Sequence, residues 1–69
     1  MSTIKIEVNG IEVELQENST VQSFIEERKV TGTMFVVEKN LKIVQKEDYS
    51  TEKIAQGDKI ELVGFFGGG

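Results

Sequence analysis

The sequence predicts an α+β domain in which a mixed sheet of four to five strands is covered on one face by a single main helix. Apolar residues alternate with polar ones in the runs 4–8, 11–15 and 60–62, which is the period of strands, and residues 21–28 instead have helical spacing. The 69 residues leave room for one domain. A domain of this size buries only about 60% of the surface that its unfolded chain exposes, so the core must be built from few side chains.

The composition restricts both how this core is held together and what the chain can bind. Cysteine and histidine are absent, which removes disulfides, thiolate metal sites and the commonest general base. The formal net charge of −4 argues against nucleic acid or an anionic membrane as a partner. No apolar run approaches the roughly 20 residues of a membrane-spanning helix. We therefore expect a soluble, cytoplasmic protein that holds no metal and is not an enzyme.

The first two strands are predicted to form a hairpin. Alternating apolar residues run from Ile4 to Val8, and a second alternating run extends from Ile11 to Leu15. Asn9-Gly10 joins them, and this pair favours a tight turn in which both residues have positive φ.

A short amphipathic helix is predicted next. Ser19 or Thr20 offers a cap for its first turn, but Ser23 stands where a full capping box has Glu or Gln, so the box is expected to be partial. Gly32 marks the end of the helix or the loop after it. The residues that recur at the spacing of one helical face are Val21, Phe24, Ile25 and Arg28.

The second half of the chain predicts three more strands. The continuous apolar run 34–37, which includes Val36, suits an interior strand and is interpreted as core. A turn at Lys39-Asn40 leads into a short strand that contains Leu41, Ile43 and Val44.

Tyr49 and Ile54 are expected to pin a loop or a single helical turn against the core, before a tight turn at 56–58 and a last strand with Ile60 and Leu62 facing inward. The order of strand, strand, helix, strand, short strand, strand matches the β-grasp, or ubiquitin-like, fold.

The three terminal glycines are the unusual feature of the chain. We predict a β-grasp domain over residues 1–66 and a flexible tail of Gly67, Gly68 and Gly69. Consecutive glycines resist regular structure, so they suit a thin tail that threads into a narrow channel of a partner protein. If this channel leads to an ATP site of the partner, the α-carboxylate of Gly69 can attack the α-phosphate of ATP at that site. The alternative is that the glycines are a linker or a frayed end.

The aromatic pair before the tail predicts a docking surface. Side chains alternate along a strand, so Val63 and Phe65 are expected on the open face of the sheet and Phe66 on the inner face. Val63 and Phe65 would then form an apolar patch for a partner beside the tail. The alternative for Phe65 is that it completes the core.

These features together resemble the sulfur carrier family of thiamine biosynthesis, the ThiS family, over essentially the whole chain. The resemblance is carried by the hairpin, by the helix start at Thr20-Val21, by residues 43–49 and 57–61, and by the terminal glycines. Of these features, Gly68-Gly69 alone is chemically specific. Two features depart from the family: Gln45 stands where many relatives have proline, and the turn at Lys39-Asn40 lacks the usual glycine.

The resemblance implies a two-step activation of Gly69. An adenylating enzyme of the ubiquitin-activating type would adenylate the carboxylate with ATP and magnesium, and a persulfide sulfur donor would convert the acyl-adenylate into a thiocarboxylate. The thiazole synthase would then take the sulfur. The chain itself would bind no cofactor, because the ATP site belongs to its partner.

Several alternatives share the fold. One is the small subunit of molybdopterin synthase, and another is a carrier that delivers sulfur to tRNA or to another metabolite. A third is a ubiquitin-like modifier that is conjugated to proteins through Gly69. The last is a β-grasp interaction domain whose glycines are inert.

Overall fold

The computed structural model of the chain describes residues 2–28 and 35–64, and these residues form a five-stranded mixed sheet with one α-helix. The predicted order of elements is confirmed. The elements are β1 (Thr3–Val8), β2 (Ile11–Gln16), α1 (Val21–Glu27), β3 (Phe35–Lys39), β4 (Lys42–Val44), a short 3-10 helix (Lys46–Asp48) and β5 (Lys59–Gly64).

The last strand lies in the middle of the sheet. The spatial order is β2-β1-β5-β3-β4, with β5 parallel to β1 and antiparallel to β3. The two outer pairs, β1 with β2 and β3 with β4, are antiparallel. One helix covering one face of such a sheet is the β-grasp arrangement that the sequence predicts.

The first hairpin has the predicted turn. Val8 pairs with Ile11, and the two residues between them have positive φ, +48° at Asn9 and +85° at Gly10, as a type I′ turn requires. Leu15 is buried as expected, whereas Ile11 is 67% exposed. Ile11 begins the edge strand β2, which leaves it with a neighbouring strand on one side only.

The capping box at the start of α1 is complete, which corrects the expectation of a partial one. The Thr20 hydroxyl accepts a hydrogen bond from the Ser23 N–H at 3.1 Å, and the Ser23 hydroxyl accepts one from the Thr20 N–H at 2.9 Å. Serine therefore does here what Glu or Gln does in the usual box.

The helix packs its apolar stripe on the inner face of the sheet. Arg28, predicted as part of the stripe, is exposed and holds its guanidinium 5.9 Å from the ring centroid of Phe24, a cation–π distance. Tyr49 and Ile54 are buried, as predicted. The buried apolar residues are Ile4, Ile6, Val8, Leu15, Val21, Phe24, Ile25, Val37, Val44, Tyr49, Ile54 and Ile60.

The second hairpin turns one residue later than predicted. Lys39 pairs with Lys42, so the loop is Asn40-Leu41, with φ of +52° and +70°. Leu41 is therefore a turn residue, 88% exposed, and the prediction that it belongs to the strand is wrong. A two-residue type I′ loop matches the twist of the strands, and this preference outweighs the apolar character of Leu41.

Asn40 also locks the start of β5. Its Oδ1 accepts the Lys59 N–H at 3.0 Å, and its Nδ2 donates to Asp58 Oδ1 at 3.0 Å. The other Asp58 oxygen accepts the Ala55 N–H at 2.8 Å. The turn before β5, with Gly57 at a φ of +85°, is thereby tied to the second hairpin.

We predict that Leu41→Gly stabilises the fold, because an L side chain in the left-handed region costs about 1–2 kcal/mol and glycine removes this cost. Leu41→Ala is the matched control, since it removes the exposed leucine but keeps a Cβ at positive φ. Urea unfolding should give the glycine variant about 1 kcal/mol more stability than the alanine variant. Equal stability of the two variants would contradict the left-handed strain assigned to Leu41.

Candidate functional site

The candidate site is the end of β5 and the open face of the sheet beside it. By open face we mean the face that α1 does not cover. β5 ends at Gly64, which pairs with Phe35 at the start of β3. The predicted site residues Phe65, Gly67, Gly68 and Gly69 lie outside the described residues, as does Phe66, so their roles and the division at residue 66 stay predictions.

Val63 lies on the open face, where its position in β5 predicts it. Ile60 is 1% exposed and Leu62 is half-buried, so both face the helix, whereas Val63 is 55% exposed. The side chains of β5 therefore alternate between the core and the open face up to the end of the strand.

Two apolar residues join Val63 on the open face, and the sequence analysis missed both. Val36 pairs directly with Val63 and is 41% exposed, so its interpretation as core is wrong. Ile43, 61% exposed, pairs with Glu38 and is thus the diagonal neighbour of Val36. We call Val36, Ile43 and Val63 the apolar patch.

The alternation within β3 explains the error at Val36. Val37 is fully buried and Phe35 is half-buried, so Val36 between them must point the other way. A continuous apolar run marks a strand buried on both faces only where both faces are covered. Because the sequence predicts a single main helix, which covers one face of the sheet, the alternation of side chains along β3 could have placed Val36 on the open face.

Acidic side chains border the apolar patch. Glu38 lies directly opposite Glu61, next to Val36 and Val63 on the same face. Glu7 lies directly opposite Glu12 farther from the patch, where Lys5 Nζ is 3.8 Å from Glu12 Oε2. Like charges in such positions destabilise a sheet. Lys59 beside Glu7 offsets part of this charge. The open face therefore combines an apolar centre with a predominantly acidic border near β5.

The helix side of the same strand end is supported by aromatic packing. Phe35 stacks on Tyr49 with ring centroids 6.4 Å apart and an interplanar angle of 21°. Burial raises the pKa of the Tyr49 phenol above its usual value, so this ring stays neutral through the physiological range. The start of β3, and with it the end of β5, thus rests on the core on one side and carries the apolar patch on the other.

The described residues contain no group of three or more His, Cys, Asp or Glu side chains that could hold a metal ion. Over residues 2–28 and 35–64, no helix has the length and apolar character to cross a membrane.

Comparison with known proteins identifies similar chains over nearly the full length. The model of the ThiS family matches residues 3–69. A thiazole synthase of Paramagnetospirillum magneticum is 38% identical over 66 residues, which are 96% of this chain but 20% of that protein. The sulfur carrier protein ThiS of Bacillus subtilis is 31% identical over 65 residues, 93% of this chain and 98% of that protein. The chain thus spans about a fifth of the first relative and nearly all of the second.

The fold is also that of a solved relative. The crystal structure of the thiamine biosynthesis protein (ThiS) from Geobacter metallireducens superimposes with a TM-score of 0.82 at 26% identity, and the match covers 96% of this chain and 100% of that one.

Proposed function

The chain belongs to the ThiS family of sulfur carriers, and on this premise we propose that it carries sulfur for thiazole formation on the α-carboxylate of Gly69, without being an enzyme itself. The observation that carries the proposal is the family match, which continues through the terminal glycines to residue 69. The central position of β5 supports it, because the strand that leads to these glycines is held between two neighbours.

The first step of the proposed cycle activates the carboxylate. An oxygen of the Gly69 carboxylate attacks the α-phosphorus of ATP, pyrophosphate leaves, and a glycyl-adenylate forms. A partner adenylating enzyme supplies the ATP site and the magnesium ion that neutralises the phosphate charge. Gly69 contributes the nucleophile, and its lack of a Cβ keeps the acyl carbon of the mixed anhydride open to the next attack.

The second step installs sulfur. The terminal sulfur of a donor persulfide attacks the acyl carbon and displaces AMP, which gives an acyl disulfide between Gly69 and the donor. A thiol of the donor system then reduces the S–S bond, so that the thiocarboxylate is released and a donor disulfide forms. We place this chemistry in the cytoplasm, where thiols are kept reduced. No cofactor is held by the carrier.

The length of the tail limits where the partner can bind. The five residues after Gly64 span at most about 17 Å when fully extended. An ATP site that receives Gly69 must therefore lie within this distance of the end of β5. The partner surface around its channel then contacts the region next to Gly64, which on the open face is the pair Val36 and Val63.

The apolar patch is accordingly proposed as the docking surface, with Phe65 continuing it toward the tail. Its exposed valines and isoleucine suit an apolar partner surface, and the opposed carboxylates of Glu38 and Glu61 suit basic groups at the rim. The adenylating enzyme and a thiazole synthase are the proposed partners. A stretch similar to this chain within a much longer thiazole synthase supports the second.

Intact-mass spectrometry tests the chemistry. We expect that incubation with the adenylating enzyme, ATP, magnesium and a persulfide donor replaces one terminal oxygen of the chain by sulfur. Deletion of Gly69 should abolish the change, while the urea unfolding midpoint stays at the wild-type value because Gly69 follows the last residue of β5, Gly64, by five residues. An unchanged wild-type mass, with an enzyme that modifies another carrier, would contradict the proposal, and a covalent adduct with a target protein would favour a modifier.

Replacing an apolar residue of the patch by a charged one tests whether the apolar patch is the docking surface. Val63→Lys places a cation where apolar contact is proposed, and we expect the KM of the adenylating enzyme for the carrier to rise about tenfold, a cost of about 1.4 kcal/mol, with little change in kcat. Ile11→Lys is the matched control, since Ile11 is 67% exposed and shares the helix side of the sheet with its partner Val8. Equal KM values for the two variants would contradict the proposal that the apolar patch is the docking surface.

A further inference from the structure

Asn9 does more than form the turn between β1 and β2. The parallel pairing of β1 with β5 involves Glu7 with Lys59 and Val8 with Ile60, and then β1 ends. The Asn9 N–H donates to the Ile60 carbonyl at 3.0 Å. Among the described residues, this is the last main-chain hydrogen bond between the β1 side of the sheet and β5. Beyond it, β5 continues to Gly64 with β3 on its other side.

The side chain of Asn9 continues the hydrogen bonding to β5 beyond the point at which the β1 backbone turns away. Its Oδ1 accepts the Leu62 N–H at 2.9 Å, and its Nδ2 faces the Leu62 carbonyl at a longer 3.5 Å. A carboxamide has the same donor and acceptor groups as a peptide unit, so it can substitute for the missing strand residue. Leu62 is thereby held between Asn9 on one side and Val37 of β3 on the other.

Two demands meet at this position, and asparagine satisfies both. The type I′ turn needs positive φ, which Asn, Asp and Gly supply. The pairing with Leu62 needs an acceptor and a donor on one short side chain, which excludes glycine and leaves aspartate with the acceptor alone. The turn by itself therefore does not account for the contact with Leu62.

We propose that Asn9 is a positioning residue for the chemistry at Gly69, because its carboxamide fixes the direction in which β5 leaves the sheet. The proposal rests on the proposed carrier function. Leu62 lies seven residues before Gly69, so a change in the direction of the strand end is carried into the partner's ATP site. Misplacement of a reacting group by about 1 Å can cost on the order of 100-fold in rate.

Asn40 provides a matched control within the same strand. It occupies the corresponding turn position of the second hairpin, with a φ of +52°, and it also uses Oδ1 to accept a β5 main-chain N–H, that of Lys59 at 3.0 Å. Lys59 begins β5, whereas Leu62 is near its end. Asn9→Gly and Asn40→Gly therefore each remove a side-chain acceptor of a β5 main-chain N–H, from opposite ends of one strand, and keep both turns. Asn40→Gly also removes the hydrogen bond from Nδ2 to Asp58 Oδ1, so it is the more demanding control.

The test compares both variants in the adenylation of Gly69, measured as pyrophosphate release with the adenylating enzyme, ATP and magnesium. We expect Asn9→Gly to lower kcat about tenfold while KM for the carrier stays within about twofold of wild type. Asn40→Gly should lower the urea midpoint at least as much as Asn9→Gly, because it also loses the contact with Asp58, and yet it should retain the wild-type kcat. Asn9→Asp, which keeps the shorter contact with the Leu62 N–H, should recover most of the lost kcat.

Amide hydrogen exchange of the free chain supplies the structural readout. The Leu62 amide should exchange faster in Asn9→Gly than in wild type and at the wild-type rate in Asn40→Gly. Equal kcat losses in the two glycine variants, or a wild-type kcat in Asn9→Gly, would overturn the positioning role. If the wild-type chain itself releases no pyrophosphate, the carrier function fails and the inference fails with it, whereas a kcat effect confined to Asn9→Gly supports both.

Discussion

The pairing of β5 between β1 and β3 is the constraint on which the rest of the structure depends. It buries Ile60 against the helix and joins the two hairpins into one sheet. It also means that the strand leading to the terminal glycines is an interior strand of the sheet and not one of its edges. The proposed chemistry at Gly69 depends on accurate positioning, which an interior strand leading toward it favours.

One short helix covers one face of the sheet and leaves the other face open, so the two faces differ in role. The inner face holds the buried apolar residues, and α1 covers it with Val21, Phe24 and Ile25. The open face contributes little to the core and is therefore free to carry residues that stability does not favour. Exposed Val36 beside Val63, and Glu38 opposite Glu61, are features of this kind. The proposed docking surface would account for both features, and the limited reach of the five residues after Gly64 would account for their position.

Local chemistry made most of the fold predictable from the sequence. Strict alternation around Asn9-Gly10 permits one hairpin register, since a shift by one residue would exchange the two faces. The errors arose where tertiary context decides. Val36 lies on the open face because side chains alternate along β3 and α1 does not cover that face. Leu41 adopts positive φ because a two-residue type I′ loop requires it. The contact of Asn9 with Leu62 joins residues far apart in sequence and has no local pattern. The terminal glycines stood out in the sequence itself, whereas their role in sulfur transfer was inferred from the resemblance, and no described contact bears on them.

Amide NMR tests directly whether the molecule is divided into a folding face and a docking face. The isotope-labelled chain is titrated with the adenylating enzyme, and the shift or broadening of each amide signal is followed. We expect the largest changes at the apolar patch, Val36, Ile43 and Val63, and along the end of β5, with α1 nearly unchanged. Changes concentrated on α1, with the patch unaffected, would contradict the account.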